Sequence, residues 1–158
     1  MDLSYKGLRE LIESADLTRA LSEAGLEIKQ GDTVLLYTDH YRRAFGTDDW
    51  HNGPGISTDA ARWLGGQKIA AFGVETMAPG VLHVSNKEVH HICGELGFTH
   101  YENMINLHQL IGRGRFRFIG LPPSAQLPTR WLNEGVSAEI AGANALLSAE
   151  DIATPVLA

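Results

Sequence analysis

The sequence has little cysteine, no long apolar segment and no basic leader, and each absence excludes a class of protein. Cys93 is the only cysteine among 158 residues, so no disulfide forms within the chain and no second thiolate is present for a zinc knuckle. No apolar run approaches the roughly 18 to 20 residues that cross a bilayer. Met1 is followed by Asp2, not by a signal peptide. We therefore expect a cytoplasmic protein without a membrane partner.

Positive charge is also scarce. The chain has 13 Lys+Arg against 19 Asp+Glu, a formal net charge of -6, and its basic residues are scattered except for Arg113, Arg115 and Arg117. Nucleic-acid-binding surfaces carry basic patches, so no nucleic-acid partner is expected. The remaining composition, 44% hydrophobic and 20% charged, is that of an ordinary globular protein.

Short apolar runs separated by a capped helix predict an α/β fold. The runs 33–38 and 68–76 are rich in β-forming residues and indicate buried strands. Between them, Ser57 begins a helix by capping, and Gly65-Gly66 ends it. A strand, a helix and a strand in this order predict a βαβ unit with parallel strands.

Further elements are predicted on either side of this unit. Ser85 to Glu88 reads as a capping box, which marks a helix start. The remaining predicted elements are helices over 16–24 and 86–96, ended by Gly25 and Gly97, and strands over 98–104 and 115–121.

In two segments the apolar residues do not recur with the period of a helix or of a strand. Residues 40–55 predict a long functional or docking loop, in which His40, Trp50 and His51 are candidates to line a substrate pocket. The end of the chain is rich in alanine and weakly amphipathic. We therefore predict an α/β domain over 1–133, followed by a tail or loosely packed helix over 134–158.

The segment VHHICGELGFTHYEN concentrates imidazoles and carboxylates around Cys93. On a helical wheel, Val89, Ile92, Cys93 and Leu96 form one apolar stripe that faces the core. His90 lies at the margin of this stripe, and His91 points away from it. Cys93 is therefore expected to be a buried apolar side chain and not a nucleophile.

A strand after Gly97 puts His100 and Glu102 on one face, so the helix bearing His90 and this strand converge. Imidazole nitrogen and carboxylate oxygen suit Zn, Mn or Fe, but a durable site needs three or more such ligands. The alternative is that these histidines are solvated or cover a helix face and that Glu102 pairs with an arginine. Spacing alone leaves both interpretations open.

Several blocks, taken in order, resemble the cyclase family of metal-dependent hydrolases, which includes bacterial kynurenine formamidase and isatin hydrolase. The blocks, within 31–130, are GDTVLLYTD, GPGISTDAARWLGGQKIAAFGVET, VHHICGELGFTHYENMINL, FRFIGLPP and PTR. The resemblance implies a mixed sheet of the swivelling β/α type. It also implies a divalent ion, Zn or Mn, and hydrolysis of a small amide or lactam substrate.

In that family a metal-binding histidine precedes a metal-binding glutamate by twelve positions, and the glutamate opens an E-N-(L/M) block. By this resemblance His90 and Glu102, followed by Asn103 and Met104, are the metal ligands, and His91 and His100 are structural or support the ligands. The resemblance assigns no catalytic residue in this chain.

The chain departs from the family at both ends of the pattern. The motif H-x-G-T-H-x-D, which carries the other ligands, does not occur, so the domain resembles a family member that is incomplete on its N-terminal side. The closing G-x-x-G-S-P-x-R block is reduced to residues 124–130, where Arg130 remains as a pocket candidate. An isolated chain of this kind is expected to hold its ion weakly or lose it.

Three hypotheses follow from these departures. The chain is a partial hydrolase subunit, completed in a homo-oligomer or by a partner chain that carries the missing motif. Alternatively, it is a non-catalytic cyclase-like binding or interaction module. In the third hypothesis, His83, His90, His100 and Glu102 form a self-contained metal site.

Overall fold

The computed structural model describes residues 1–120. In chain order the elements are β1 (Leu11–Ile12), α1 (Ser14–Ala24), β2 (Thr33–Leu36), α2 (His40–Ala44), β3 (Gly55–Ile56), α3 (Thr58–Gly66), β4 (Ala71–Val74), α4 (Asn86–Leu96) and β5 (Thr99–Tyr101). Two 3-10 helices, Asp48–Asn52 and Leu107–Leu110, complete the list. Among these elements no helix has both the length and the apolar character to span a membrane.

The main sheet has three parallel strands in the order β2-β4-β5. Thr33 pairs with Ala71 and Phe72 pairs with His100, so β4 is the central strand. Because α3 lies between β2 and β4 in the chain, the predicted βαβ unit and α/β class are confirmed. A second parallel pair joins β1 to β3, with Leu11 opposite Gly55.

The core lies on the face of the sheet that α1, α3 and α4 cover. Side chains alternate along β2: Val34 and Leu36 enter this core, while Leu35 packs with Met104 on the other face. Phe72 at the centre of the sheet is fully buried. Burial of such apolar area, at about 25 cal/mol per Å², is what holds the helices onto the sheet.

The predicted helix ends are partly confirmed. Gly25 and Gly97 adopt left-handed conformations with φ of 63° and 73° after α1 and α4. Ser57 caps α3 by accepting a hydrogen bond from the Ala60 N–H. The prediction of a capping box at the start of α4 was wrong. Ser85 Oγ accepts from Val81 N–H and donates to the Ile56 carbonyl, so a contact distant in sequence takes the hydroxyl.

Two other predictions are corrected. Residues 40–55 are not one irregular loop, because they contain α2, a 3-10 helix and β3, held by stacking of Tyr41 on Phe45 and by Trp50 packing edge-on against both rings. Residues 115–120 form no strand. Arg115 instead donates two hydrogen bonds to the Asp32 carboxylate, at 2.8 and 2.5 Å, which ties this segment down without a β ladder.

The strands are shorter than predicted: 33–38 becomes Thr33–Leu36, 68–76 becomes Ala71–Val74, and 98–104 becomes Thr99–Tyr101. Arg130, the segment 134–158 and the boundary at 133 lie outside the described residues, so the division into domain and tail stays a prediction.

Candidate metal centre

The candidate centre lies where α4 and β5 meet. His90 is on α4, His100 is in the middle of β5, and Glu102 follows the last residue of β5. Gly97 reverses the chain between them, since its left-handed conformation lets its N–H donate to the Cys93 carbonyl. The pairing of β5 with β4 then places the strand beside the helix that precedes it.

Three side chains converge at this junction. Nε2 of His100 is 3.1 Å from Oε1 of Glu102, and Nε2 of His90 is 3.8 Å from the same oxygen. The two imidazole rings meet edge to face, with centroids 4.8 Å apart. One donor atom from each residue falls within 4.8 Å of the others. The predicted pair His90 and Glu102 is thus brought together, along with His100.

The hydrogen bond of His90 sets the direction of its lone pair. Nδ1 lies 2.8 Å from the Asn86 carbonyl oxygen, which can only accept a hydrogen bond. In a neutral ring Nδ1 therefore carries the proton, and the Nε2 lone pair faces Glu102. Metal-binding histidines commonly hold the second ring nitrogen in this way.

The donor set fits a divalent transition ion. Ligands that lie about 2.0–2.2 Å from such an ion are roughly 3.0–3.5 Å from one another. The separation of 3.8 Å between His90 and Glu102 closes to this range by a small side-chain adjustment. The His90 side chain is 45% exposed and the Glu102 side chain 32% exposed, so an ion and a small ligand can reach both.

The other histidines named from the sequence lie elsewhere. His40 is buried, its Nε2 is 3.0 Å from the Trp50 carbonyl oxygen, and its ring stacks on the Trp50 indole. Burial lowers the pKa of His40. His51 is exposed and lies beside Met77 Sδ. His83 and His91 are exposed, and neither belongs to the three-residue group found among residues 1–120.

Cys93 is buried, as the helical stripe predicted, and burial raises its pKa to about 11. A thiol with this pKa carries almost no thiolate at neutral pH, so it is neither a nucleophile nor a ready metal ligand. Leu96, assigned to the same stripe, is instead 42% exposed because it lies in the last turn of α4.

Glu75 is a buried carboxylate that the sequence analysis did not single out. It follows β4, its side chain accepts hydrogen bonds from Thr38 N–H and Oγ1–H, and its Oε1 atom has no partner among the described residues. Burial raises the pKa of Glu75. The available signal was an acidic residue at the end of the apolar run KIAAFGVET.

A separate groove of about 640 Å³ lies between α1, β2 and residues 107–118. Tyr37, Leu107 and Phe118 are among its lining residues, and none of the three donors lines it. Three apolar side chains on this part of the chain are exposed: Ile111, Phe116 and Ile119. The candidate metal centre at the α4–β5 junction and this groove are therefore two separate places on the molecule.

Parallel strands with helices on one face, and two imidazoles and a carboxylate grouped where α4 meets β5, define an α/β protein with a candidate metal centre. The family model described as "Putative cyclase" matches residues 1–81. The chain belongs to the cyclase family. This match begins well before Gly31 and ends before His90, so it does not itself reach the candidate centre.

Solved structures of similar fold include isatin hydrolases. Isatin hydrolase A from Ralstonia solanacearum is 23% identical with a TM-score of 0.57, covering 66% of this chain and 44% of that chain. An isatin hydrolase bound to the product analogue thioisatinate is 20% identical with a TM-score of 0.63, covering 71% and 48%. For isatin hydrolase A from Labrenzia aggregata bound to benzyl benzoate the values are 23%, 0.60, 70% and 48%.

These identities establish the fold alone. The chain spans less than half the length of the solved structures that it matches. No curated protein shows significant similarity to the chain.

Proposed function

We propose that the chain contributes part of the metal site of a hydrolase that cleaves the C–N bond of a small amide or lactam, of the kynurenine formamidase or isatin hydrolase kind. The observation that carries this proposal is the approach of His90 Nε2 to Glu102 Oε1, 3.8 Å apart across the α4–β5 junction. Family membership and the fold of the similar structures support it.

The two proposed ligands play different parts. The Nε2 lone pair of His90 supplies a neutral donor, and Glu102 supplies the negative charge that favours a cation. When bound, Zn or Mn supplies a Lewis acid for a carbonyl group and lowers the pKa of water. Trp50, His51 and Arg130 remain candidates for the substrate pocket. His40 supports Trp50 through stacking and a hydrogen bond. His40 is therefore a candidate to shape the pocket indirectly, through Trp50.

We further propose that ligands from another chain complete the site, either in a homo-oligomer or with a partner that carries H-x-G-T-H-x-D. The motif is absent from this sequence. The exposed apolar side chains of Ile111, Phe116 and Ile119 favour association, since such groups mark contact surfaces when they cluster. The lone cysteine favours a cytoplasmic setting for the assembly.

A non-catalytic binding module is the second candidate function. The missing motif and the altered block at 124–130 favour it, because loss of ligands removes catalysis before it removes the fold. It differs from the hydrolase proposal in one measurable respect. A module of this kind has no need of an ion at His90 and Glu102.

The test is metal analysis of the purified chain after incubation with Zn or Mn, together with assays on N-formylkynurenine and isatin. We expect metal at the α4–β5 junction that is lost in His90→Ala and Glu102→Ala but retained in the matched control His91→Ala. Hydrolysis is expected only when a chain carrying the missing motif is added. Absence of both metal and hydrolysis in every mixture would leave the binding module as the better account.

A further inference from the structure

His100 and His90 approach the same carboxylate oxygen but differ in their second ring nitrogen. Nδ1 of His90 is bonded to the Asn86 carbonyl, whereas Nδ1 of His100 is buried and has no hydrogen-bond partner among residues 1–120. We infer that His100 is a positioning residue: it donates Nε2–H to Glu102 and aims that carboxylate at the ion, without being a third ligand. The inference rests on the proposed function of His90 and Glu102.

The position of the proton on the neutral His100 ring distinguishes a hydrogen-bond donor from a metal ligand. If Nε2 coordinated an ion, the proton would have to move to Nδ1, where it would be a buried N–H with no acceptor in the described part of the chain. Buried N–H groups without acceptors are rarer in proteins than incompletely bonded acceptors. With the proton on Nε2, the donor meets Glu102 Oε1 at 3.1 Å and only a lone pair faces the core.

The His100 ring has little freedom to move. The His100 side chain is 16% exposed, and its ring packs against Phe72, its register partner on β4, with centroids 5.7 Å apart. It cannot swing toward an incoming ion without disturbing the core. His90 is on a helix surface and is far more exposed. A fixed donor and an adjustable ligand therefore share one carboxylate.

The Glu102 carboxylate gains a fixed orientation from His100. Glu102 lies just past the end of β5, and its backbone stays held because the N–H groups of Asn103 and Met104 donate to the Thr76 and Val74 carbonyls. Its side chain is 32% exposed, so the carboxylate is the part that needs a partner to fix it. A hydrogen bond from a rigid strand residue fixes one of its oxygens and lowers the number of rotamers it samples. Partners of this kind, when removed, typically weaken metal affinity by about 10- to 100-fold.

Substitution with glutamine separates a positioning role from a ligand role. The amide nitrogen of Gln reaches the place of the imidazole Nε2 and donates a hydrogen bond, but it is a poor ligand for a transition ion. We expect His100→Gln to keep the Co²⁺ affinity of the full chain within about threefold, and His100→Ala to weaken it about tenfold or more. His91→Ala is the control, and circular dichroism checks folding.

Equal losses of Co²⁺ affinity in His100→Gln and His90→Ala would overturn the inference and make His100 a ligand. Unchanged affinity in a folded His100→Ala would also overturn it. If His100→Ala does not fold, His100→Gln decides.

Nitrogen NMR of the metal-free chain decides the matter independently of metal binding. We expect the His100 ring to carry its proton on Nε2, and a proton on Nδ1 would contradict the inference. If the wild-type chain binds no Co²⁺ either alone or together with a chain that carries the missing motif, the proposed metal function fails, while this measurement still supports or overturns the positioning role.

Discussion

Two histidines near the main sheet have completely different surroundings: His40 follows β2, and His90 lies on α4 beside β5. His40, beyond β2, is 1% exposed, and its Nε2 is engaged with the Trp50 carbonyl. At the α4–β5 junction, His90 keeps a free Nε2 lone pair that faces a carboxylate. The first histidine uses its polar atoms to hold the fold, and the second leaves one available for an outside group.

This difference shows that availability of a donor atom, more than residue type, separates a structural histidine from a candidate ligand. Both regions were candidates in the sequence, because both carry histidine near aromatic or acidic residues. His40 is buried with its Nε2 bonded to a carbonyl, whereas His90 is exposed and its Nε2 faces a carboxylate. If the two regions are as separate as their contacts indicate, substitutions in one should leave the properties of the other unchanged.

The largest expected effect is on metal affinity at the α4–β5 junction. Structural zinc sites bind with about 10–16 kcal/mol over four ligands, so one ligand accounts for roughly 3 kcal/mol, or about 100-fold. We expect Glu102→Ala and His90→Ala each to weaken Co²⁺ binding by about this factor, as measured by titration. His40→Phe is the matched control, and a similar loss of Co²⁺ affinity in this variant would show that the two regions are not separate.

The free energy of unfolding should show the opposite pattern to metal affinity: it should depend on His40 and hardly on His90. Removing the buried His40 ring leaves a cavity beside Trp50 and an unpaired carbonyl, so His40→Ala should lower the free energy of unfolding by about 2–4 kcal/mol. His90→Ala on the exposed helix face should change it by less than about 0.5 kcal/mol. Urea denaturation of both variants measures this. Equal losses would show that the junction is as structural as the His40 region.

The pH dependence of stability should also come from His40. Burial lowers the pKa of His40 in the folded state from an unfolded value of 6.5, and the hydrogen bond with the Trp50 carbonyl opposes this shift. Of the nearby charges, Arg43 lowers the pKa further and Asp49 raises it. The unfolded chain then binds more protons, so stability falls as pH drops below about 6.5. The slope from one histidine is at most about 1.4 kcal/mol per pH unit. Urea denaturation at pH 5.0–7.5 should show a shallower slope in His40→Phe.

The smallest effect is expected at Cys93, close to the metal region in sequence but directed into the core. Cys93→Ala should lower stability by about 1 kcal/mol and leave Co²⁺ affinity unchanged. In the folded protein the thiol should resist alkylation at neutral pH, because its pKa is about 11 and it is buried. Rapid alkylation without unfolding would contradict this placement.

The elements that the sequence predicted well depend on local constraints. Gly25 and Gly97 end helices because positive φ is easy for glycine, and this rule acts within a few residues. The stripe of Val89, Ile92 and Cys93 was likewise predictable from a repeat of 3.6 residues. The pairing of His90 with Glu102 came from resemblance to a family, and the helical wheel selected the same histidine.

The failures involve partners distant in sequence. The alternating run at 115–120 has strand character, but Arg115 binds Asp32 and no neighbouring strand pairs with it in the described part of the chain. Ser85 was expected to cap its own helix, and Ile56 takes its hydroxyl instead. Strand alternation placed His100 on the same face as Glu102, and the structure brings both together with His90, whereas His83, offered in the same four-residue hypothesis, is outside that group.

The turn at Gly97 limits how much a bound ion can stabilise this protein. All three polar groups of the junction come from residues 90–102, a short contiguous stretch that this one glycine folds back on itself. An ion held there would bridge positions that the chain already keeps near each other, and closing so short a loop removes little entropy from the unfolded chain. Loading the site should therefore raise the melting temperature only modestly, and the architecture should persist in chelator.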